Sequence, residues 1–144
     1  MIRKAEEGDL ASAADLAAAL WPGNEAAALE EEFRALLRSG NGTLFLASEA
    51  GEVAGFAQVQ LRHDYVEGAK TSPVGYLEGV YVDEAYRHRG VAAALLRACE
   101  AWAKEQGCAE FASDCELDNR DSLRFHLSVG FEEANRIICF TKKL

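Results

Sequence analysis

Proline is nearly missing from this sequence, with two among 144 residues, which argues against a disordered or collagen-like chain. Long apolar runs are missing too: none approaches the roughly 20 residues that a membrane-spanning helix needs. The opening Met1-Ile2-Arg3-Lys4-Ala5-Glu6-Glu7 has no apolar core of the kind a secretory leader carries. The expectation is a cytoplasmic protein with no membrane partner. Cysteine is sparse and unpatterned. Cys99, Cys108, Cys115 and Cys139 form no C-x-x-C pair and no zinc-type Cys/His spacing, so neither a metal site nor a disulfide framework is expected. A G-x-S-x-G elbow is absent, as is any Cys/His nucleophile pairing. Positive charge is in the minority, with 15 Lys and Arg against 24 Asp and Glu for a net charge of −9. Such a surface repels phosphate backbones, which excludes nucleic acid as a partner. The acidity either serves solubility or attracts a cation.

What is present describes a folded chain. Hydrophobic residues make up 49% and charged residues 27%, consistent with one globular domain over residues 1–144 that buries roughly two-thirds of its unfolded surface. Asp9 to Leu20 and Glu25 to Arg38 carry helical periodicity, with Asp9 available as a cap and Leu29, Phe33, Leu36 and Leu37 on one face. Between them Trp21-Pro22-Gly23-Asn24 is a loop whose aromatic must pack or bind something. Thr43 to Ser48 and Val53 to Leu61 read as strands joined by a turn at Glu49-Ala50-Gly51-Glu52. A polar stretch from Arg62 to Pro73 follows. Val74 to Val82 then reads as a buried strand with Glu78-Gly79 in its middle, where the glycine predicts a bulge and the carboxylate needs water, a partner or a ligand. A long helix from Val91 to about Gln106, a short strand over 110–114, a helix from Asn119 to Ser128 and a last strand from Asn135 to Lys142 complete the order β-α-α-β-β-β-α-β-α-β. This is an α/β arrangement on a mixed sheet.

The segment Arg87-His88-Arg89-Gly90-Val91-Ala92 lies between a strand and a long helix. The first N–H groups of that helix lack internal partners, and its dipole is positive at that end. Small residues there let a phosphate approach the backbone, with arginines adding charge. The pattern Arg87-x-x-Gly90-x-Ala92 resembles the coenzyme A pyrophosphate signature of the GNAT N-acetyltransferase superfamily. Asn119 to Phe131, with its Asn, aromatic and Gly-Phe elements, is similar to the segment that flanks the pantetheine arm there. Trp21-Pro22-Gly23, Arg62-His63-Asp64-Tyr65-Val66, Ser72-Pro73, Leu77-Glu78-Gly79, Ala112-Ser113-Asp114 and Gly130-Phe131-Glu132-Glu133 resemble the aminoglycoside 6′-N-acetyltransferases within that superfamily.

The resemblance implies an acyl-CoA N-acyltransferase fold, a mixed and mostly antiparallel sheet flanked by helices, and direct acetyl transfer from acetyl-CoA to a primary amine. It implies that acetyl-CoA is held by the backbone of Val80, Tyr81 and Val82 beside a bulge at Gly79. The segment Arg87, His88, Arg89, Gly90, Val91 and Ala92 and the residues Asn119, Ser122 and His126 would complete that site. Asn119 equally suits a helix cap. Glu78 is the candidate base and Asp114 the candidate amine anchor, with the roles exchangeable. His126, standing where the superfamily usually has a Tyr, is the candidate acid for the leaving thiolate or a packed, hydrogen-bonded histidine. A cationic aminoglycoside would meet carboxylates and aromatic platforms: Trp21, Tyr65, Glu78, Asp114 and Glu133. Asn135 stands where relatives tend to carry a further acid. A homodimer through the C-terminal strand is expected. Transfer to a polyamine or a protein N-terminus, and a non-catalytic acetyl-CoA-binding module, are the alternative readings.

Overall fold

The structure, a computed structural model, describes all 144 residues. Strands β1 (Ile2–Lys4), β2 (Gly42–Glu49), β3 (Glu52–Arg62), β4 (Val74–Val82) and β5 (Phe111–Ser113) lie side by side in that order. The first four are antiparallel neighbours, whereas β5 runs parallel to β4. The β2–β3 hairpin turns on Ala50 and Gly51, whose φ values of 50° and 83° are the left-handed pair that a two-residue hairpin favours.

Helices α1 (Leu10–Leu20) and α2 (Ala26–Ser39) cover one face. Their apolar stripes, with Leu10, Ala13, Ala17, Leu29 and Phe33, close on Leu44, Leu46 and Phe56. Helix α3 (Val91–Glu105) covers the other face and buries Leu95, Leu96, Cys99 and Trp102 against Ala57, Val59 and Leu77. Helix α4 (Arg120–Ser128) adds Phe125 to that second core. Each fully buried Leu or Phe removes enough apolar area from water to contribute about 1.5–3 kcal/mol. No helix is long and apolar enough to cross a membrane.

Three sequence expectations need correction. Asp9 occupies the N-cap position of α1, but its side chain makes no bond to that helix. Its carboxylate accepts from Arg3 at 2.7 Å through each oxygen and from the Glu6 amide at 2.8 Å, closing the 3-10 turn ahead of the helix. The extra residue in β4 is Glu78, one position before Gly79: Gln58 pairs with Gly79 and Val59 with Leu77, so Glu78 has no partner across the ladder. The last strand, expected over Asn135 to Lys142, is not formed. Residues 131–144 carry no helix or strand, and Ile137, Ile138 and Phe140 stand 63%, 78% and 90% exposed. Within the single chain they pair with no strand, although the outer edge of β5 is free.

Candidate active site

Beyond Leu77, β4 loses β5, because the parallel pairing covers only Gly75, Tyr76 and Leu77 opposite Phe111, Ala112 and Ser113. From Gly79 to Val82 the strand is paired through β3 alone, where Val80, Tyr81 and Val82 face Ala57, Phe56 and Gly55. The sheet therefore splays, and the β4 backbone groups that face away from β3 line the opening.

Below it lies the cradle. Asp83 accepts from the Ala85 amide at 3.0 Å and starts a 3-10 turn over Glu84–Tyr86. His88 and Gly90 then adopt φ values of 63° and 77°, and such left-handed residues turn successive N–H groups into a concavity. Inside α3 the first amide bond runs from Ala94 to the Gly90 carbonyl at 3.1 Å, which leaves the amides of Val91, Ala92 and Ala93 for a ligand. A cavity of about 220 Å³ sits there, lined by Val82, Arg87, Gly90, Val91, Phe125 and Ser128 among others. Arg87 Nε donates to the Val82 carbonyl at 2.8 Å, and the guanidinium lies 5.4 Å from the Tyr81 ring centroid. Arg89 lies 5.7 Å from that of Tyr86. These donors and cations, set at the N-terminus of a 15-residue helix, fit the phosphates of a coenzyme A. Asn119 acts here as the cap of α4, accepting from the Ser122 amide at 3.1 Å.

Above the splay the structure gathers an acid pair. Glu78 sits in the bulge, half-buried, and Asp114 follows β5. Burial pushes the Glu78 carboxyl above its ordinary value. The Arg62 guanidinium pulls against that shift, and the charge of Asp114 adds to it. Trp21 meets Phe56 edge-on at 6.1 Å between centroids and approaches Gly79 so closely that a Cβ there would lie 2.6 Å from its ring. The aromatic of the first loop thus packs into the core and borders the bulge.

Other candidates stand apart from this pair. Tyr65 is 81% exposed and its hydroxyl donates to Glu67 at 2.6 Å. Asn135 Nδ2 donates to the same carboxylate at 2.7 Å, so an acid at position 135 would face Glu67 and be repelled by it. Glu133 is paired with Arg136, which holds its carboxyl below the ordinary range. His63 reaches Asn41 Oδ1 at 3.3 Å at the surface.

His126 is held at both ring nitrogens. Nδ1 lies 2.7 Å from the Ser122 carbonyl, which can only accept, so Nδ1 carries a proton. Nε2 lies 2.7 Å from Ser113 Oγ, and Phe125 and Phe131 flank the ring at 5.7 and 5.0 Å between centroids.

Sequence reasoning missed Arg62, Tyr76 and Ser113. Arg62 ends β3 and forks onto Glu78, while Tyr76 donates to Asp114 Oδ2. The signal available for Tyr76 was its spacing two residues before Glu78 in one strand. For Arg62 it was a charge closing a long β run.

Residues 10–131 match the acetyltransferase (GNAT) family. The chain belongs to that family. Among its relatives is an aminoglycoside N(6′)-acetyltransferase type 1 from Stenotrophomonas maltophilia. It is 44% identical over 144 residues that cover 99% of this chain and 93% of that one. The solved structure of the aminoglycoside N-acetyltransferase AAC(6′)-Iy in complex with CoA is 37% identical, with a TM-score of 0.96, covering 100% of this chain and 95% of its own. The same enzyme bound to a bisubstrate analogue, CoA-S-monomethyl-acetylneamine, matches with a TM-score of 0.95 at 37% identity, over 100% of this chain and 98% of that one. The GNAT fold expected from the sequence is therefore the fold observed, with its C-terminal strand unformed in the single chain.

Proposed function

We propose that this chain is an acetyl-CoA-dependent aminoglycoside 6′-N-acetyltransferase that confers antibiotic resistance, acting in the cytoplasm as one catalytic domain. The single observation that carries this is the acid pair of half-buried Glu78 and exposed Asp114, at the mouth of a splayed sheet with a phosphate cradle below it. The full-length likeness to aminoglycoside N(6′)-acetyltransferases supports the acceptor.

Acetyl-CoA would supply the activated acetyl group as a thioester. This chain's residues do the rest. The amides of Val91 and Ala92, with Arg87, His88, Arg89 and Gly90, hold the phosphates; Asn119 and Ser122 border the arm of the coenzyme. Backbone groups of Val80 to Val82 polarise the thioester carbonyl. Asp114 anchors the cationic amine, and Glu78, whose carboxyl burial makes more basic than an ordinary one, is the base. His126, joined to Ser113, is the donor to the leaving sulfur. Trp21, Tyr65 and Glu133 extend the acceptor surface.

The exposed C-terminal apolar residues and the uncovered outer edge of the three-residue β5 support a homodimer in which that segment finds its strand partner on a second copy.

Acetyl transfer is to be measured on kanamycin, spermidine and a peptide with a free N-terminus, with the acetylated position of the product determined. Turnover on kanamycin at the 6′-amine is expected. Tight acetyl-CoA binding without aminoglycoside turnover would overturn the proposal in favour of another amine or a binding module.

A further inference from the structure

Arg62 is the last residue of β3, opposite Val74 at the start of β4. Its side chain does not run out to solvent. The guanidinium lies 3.4 Å from the centroid of the Tyr76 ring. Nε and Nη2 donate to Glu78 Oε1 at 3.0 and 2.8 Å, and Nη2 also donates to Oε2 at 2.9 Å. Stacked on one residue and forked by another, it is fixed twice over, which the point charge of a lysine cannot reproduce. Tyr76 is buried, and the same ring that carries Arg62 donates its hydroxyl to Asp114 Oδ2. Asp114 Oδ1 has no protein partner.

We propose that Arg62 is the positioning residue that sets this acceptor site for one ammonium group, acting on Glu78 directly and on Asp114 through Tyr76. Two carboxylates against one guanidinium leave a single unbalanced negative charge. Glu78 Oε1 accepts twice and Oε2 once, whereas Asp114 Oδ1 accepts from nothing, so the open seat is Asp114 Oδ1, one ammonium there neutralises the cluster, and Glu78 Oε2 keeps a lone pair for the proton. Without Arg62 the two acids would face each other unopposed, and one would take up a proton instead of a substrate. This deepens the reading of the chain as an aminoglycoside acetyltransferase and rests on it.

The test compares Arg62→Met, Arg62→Lys and Tyr76→Phe with wild type, measuring kcat, both KM values, Tm and the pH profile of kcat/KM for kanamycin. Arg62→Met is expected to lower kcat/KM for kanamycin about tenfold or more at pH 7. The KM for acetyl-CoA should stay unchanged, since none of the four side chains lines the cavity at α3. The acidic limb of the profile should move up by about one pH unit. The groups facing Glu78 are Arg62 from β3, Tyr76 from β4 and Asp114 after β5. Removing the cation leaves burial and Asp114, which both raise the carboxyl's pKa. Arg62→Lys should restore the limb but only part of the kanamycin KM, and Tyr76→Phe should raise that KM without moving the limb. An unmoved limb and unchanged kanamycin KM in Arg62→Met, or equal losses for both substrates that track a fall in Tm, overturn the inference. If Arg62→Met does not fold, Arg62→Lys and Tyr76→Phe decide the matter: wild-type kanamycin KM in both overturns it. Wild-type turnover of kanamycin is measured first. Its absence takes down the functional reading and this inference together, whereas turnover with silent variants takes down the inference alone.

Discussion

At the scale of the residue, environment separates carboxylates of identical chemistry. Glu78 is pushed up by burial, whereas Asp9, held by Arg3 and the Glu6 amide, is brought down to about 2. A depressed folded value means that Asp9 stabilises the fold above its ordinary pKa of 3.8. That contribution drains away as the pH falls from about 4 to about 2. Asp9→Asn should therefore lower Tm at pH 7 and leave it nearly unchanged at pH 2, as differential scanning calorimetry would reveal. For the acid pair, the assigned roles predict opposite kinetic signatures. Glu78→Gln should lower kcat about a hundredfold with little change in acceptor KM, and Asp114→Asn should raise acceptor KM about tenfold with a smaller effect on kcat. Reversed signatures would exchange the roles, and wild-type kinetics in both would dismiss them. Ser122, Ser113 and the two flanking phenylalanines make His126 both packed and hydrogen-bonded. The two sequence readings of this histidine are thus compatible: a fixed ring is also an aimed one.

At the scale of the element, the decisive feature is the interruption of β4. A regular strand would turn Glu78 into the ladder. The bulge instead frees it, and the loss of β5 after Leu77 opens the backbone beside it. Gly79 serves the packing around this bulge, because Trp21 and Leu20 occupy the space of a side chain at 2.6 and 2.9 Å. Gly79→Ala is expected to cost about 1–3 kcal/mol in chemical denaturation. It should also raise acceptor KM several-fold, with acetyl-CoA KM unaltered, because Trp21 must move away from the bulge. The bulge was legible only approximately in the sequence: a glycine after a glutamate marked the place, but the extra residue is decided by how β3 pairs on either side. The turn and helix of the proposed cradle were legible, since an Arg-rich turn, Gly90 and an uninterrupted helix are local signals.

At the scale of the whole molecule, the charge of −9 is divided by sign. Arg87 and Arg89 stand at the α3 terminus, while Glu78 and Asp114 stand above the splay, with Arg62 paired to Glu78. The C-terminal segment is the other whole-molecule feature, because its apolar residues have no cover within one chain. Ile138→Asp with Phe140→Asp should convert a dimer to a monomer in sedimentation velocity while the far-ultraviolet circular dichroism of the remaining elements persists. A wild-type chain that sediments as a monomer would dismiss the dimer.

What the sequence by itself determined are most of the elements and the turn-and-helix frame of the proposed donor site: helical periodicity, the Ala50-Gly51 turn and the Arg87 to Ala92 segment are each encoded within a dozen residues. Only the tertiary structure decided the partners of the acid pair. Arg62 reaches Glu78 across 16 positions and Tyr76 reaches Asp114 across 38, and Asn135 meets Glu67 across 68. Such pairs depend on strand register and on where pairing stops, which are set by the packing of two cores against one sheet. The same reason explains the one element misread: Asn135 to Lys142 has the composition of a strand, but a strand exists only where it pairs with a neighbour, and within the single chain this segment pairs with none.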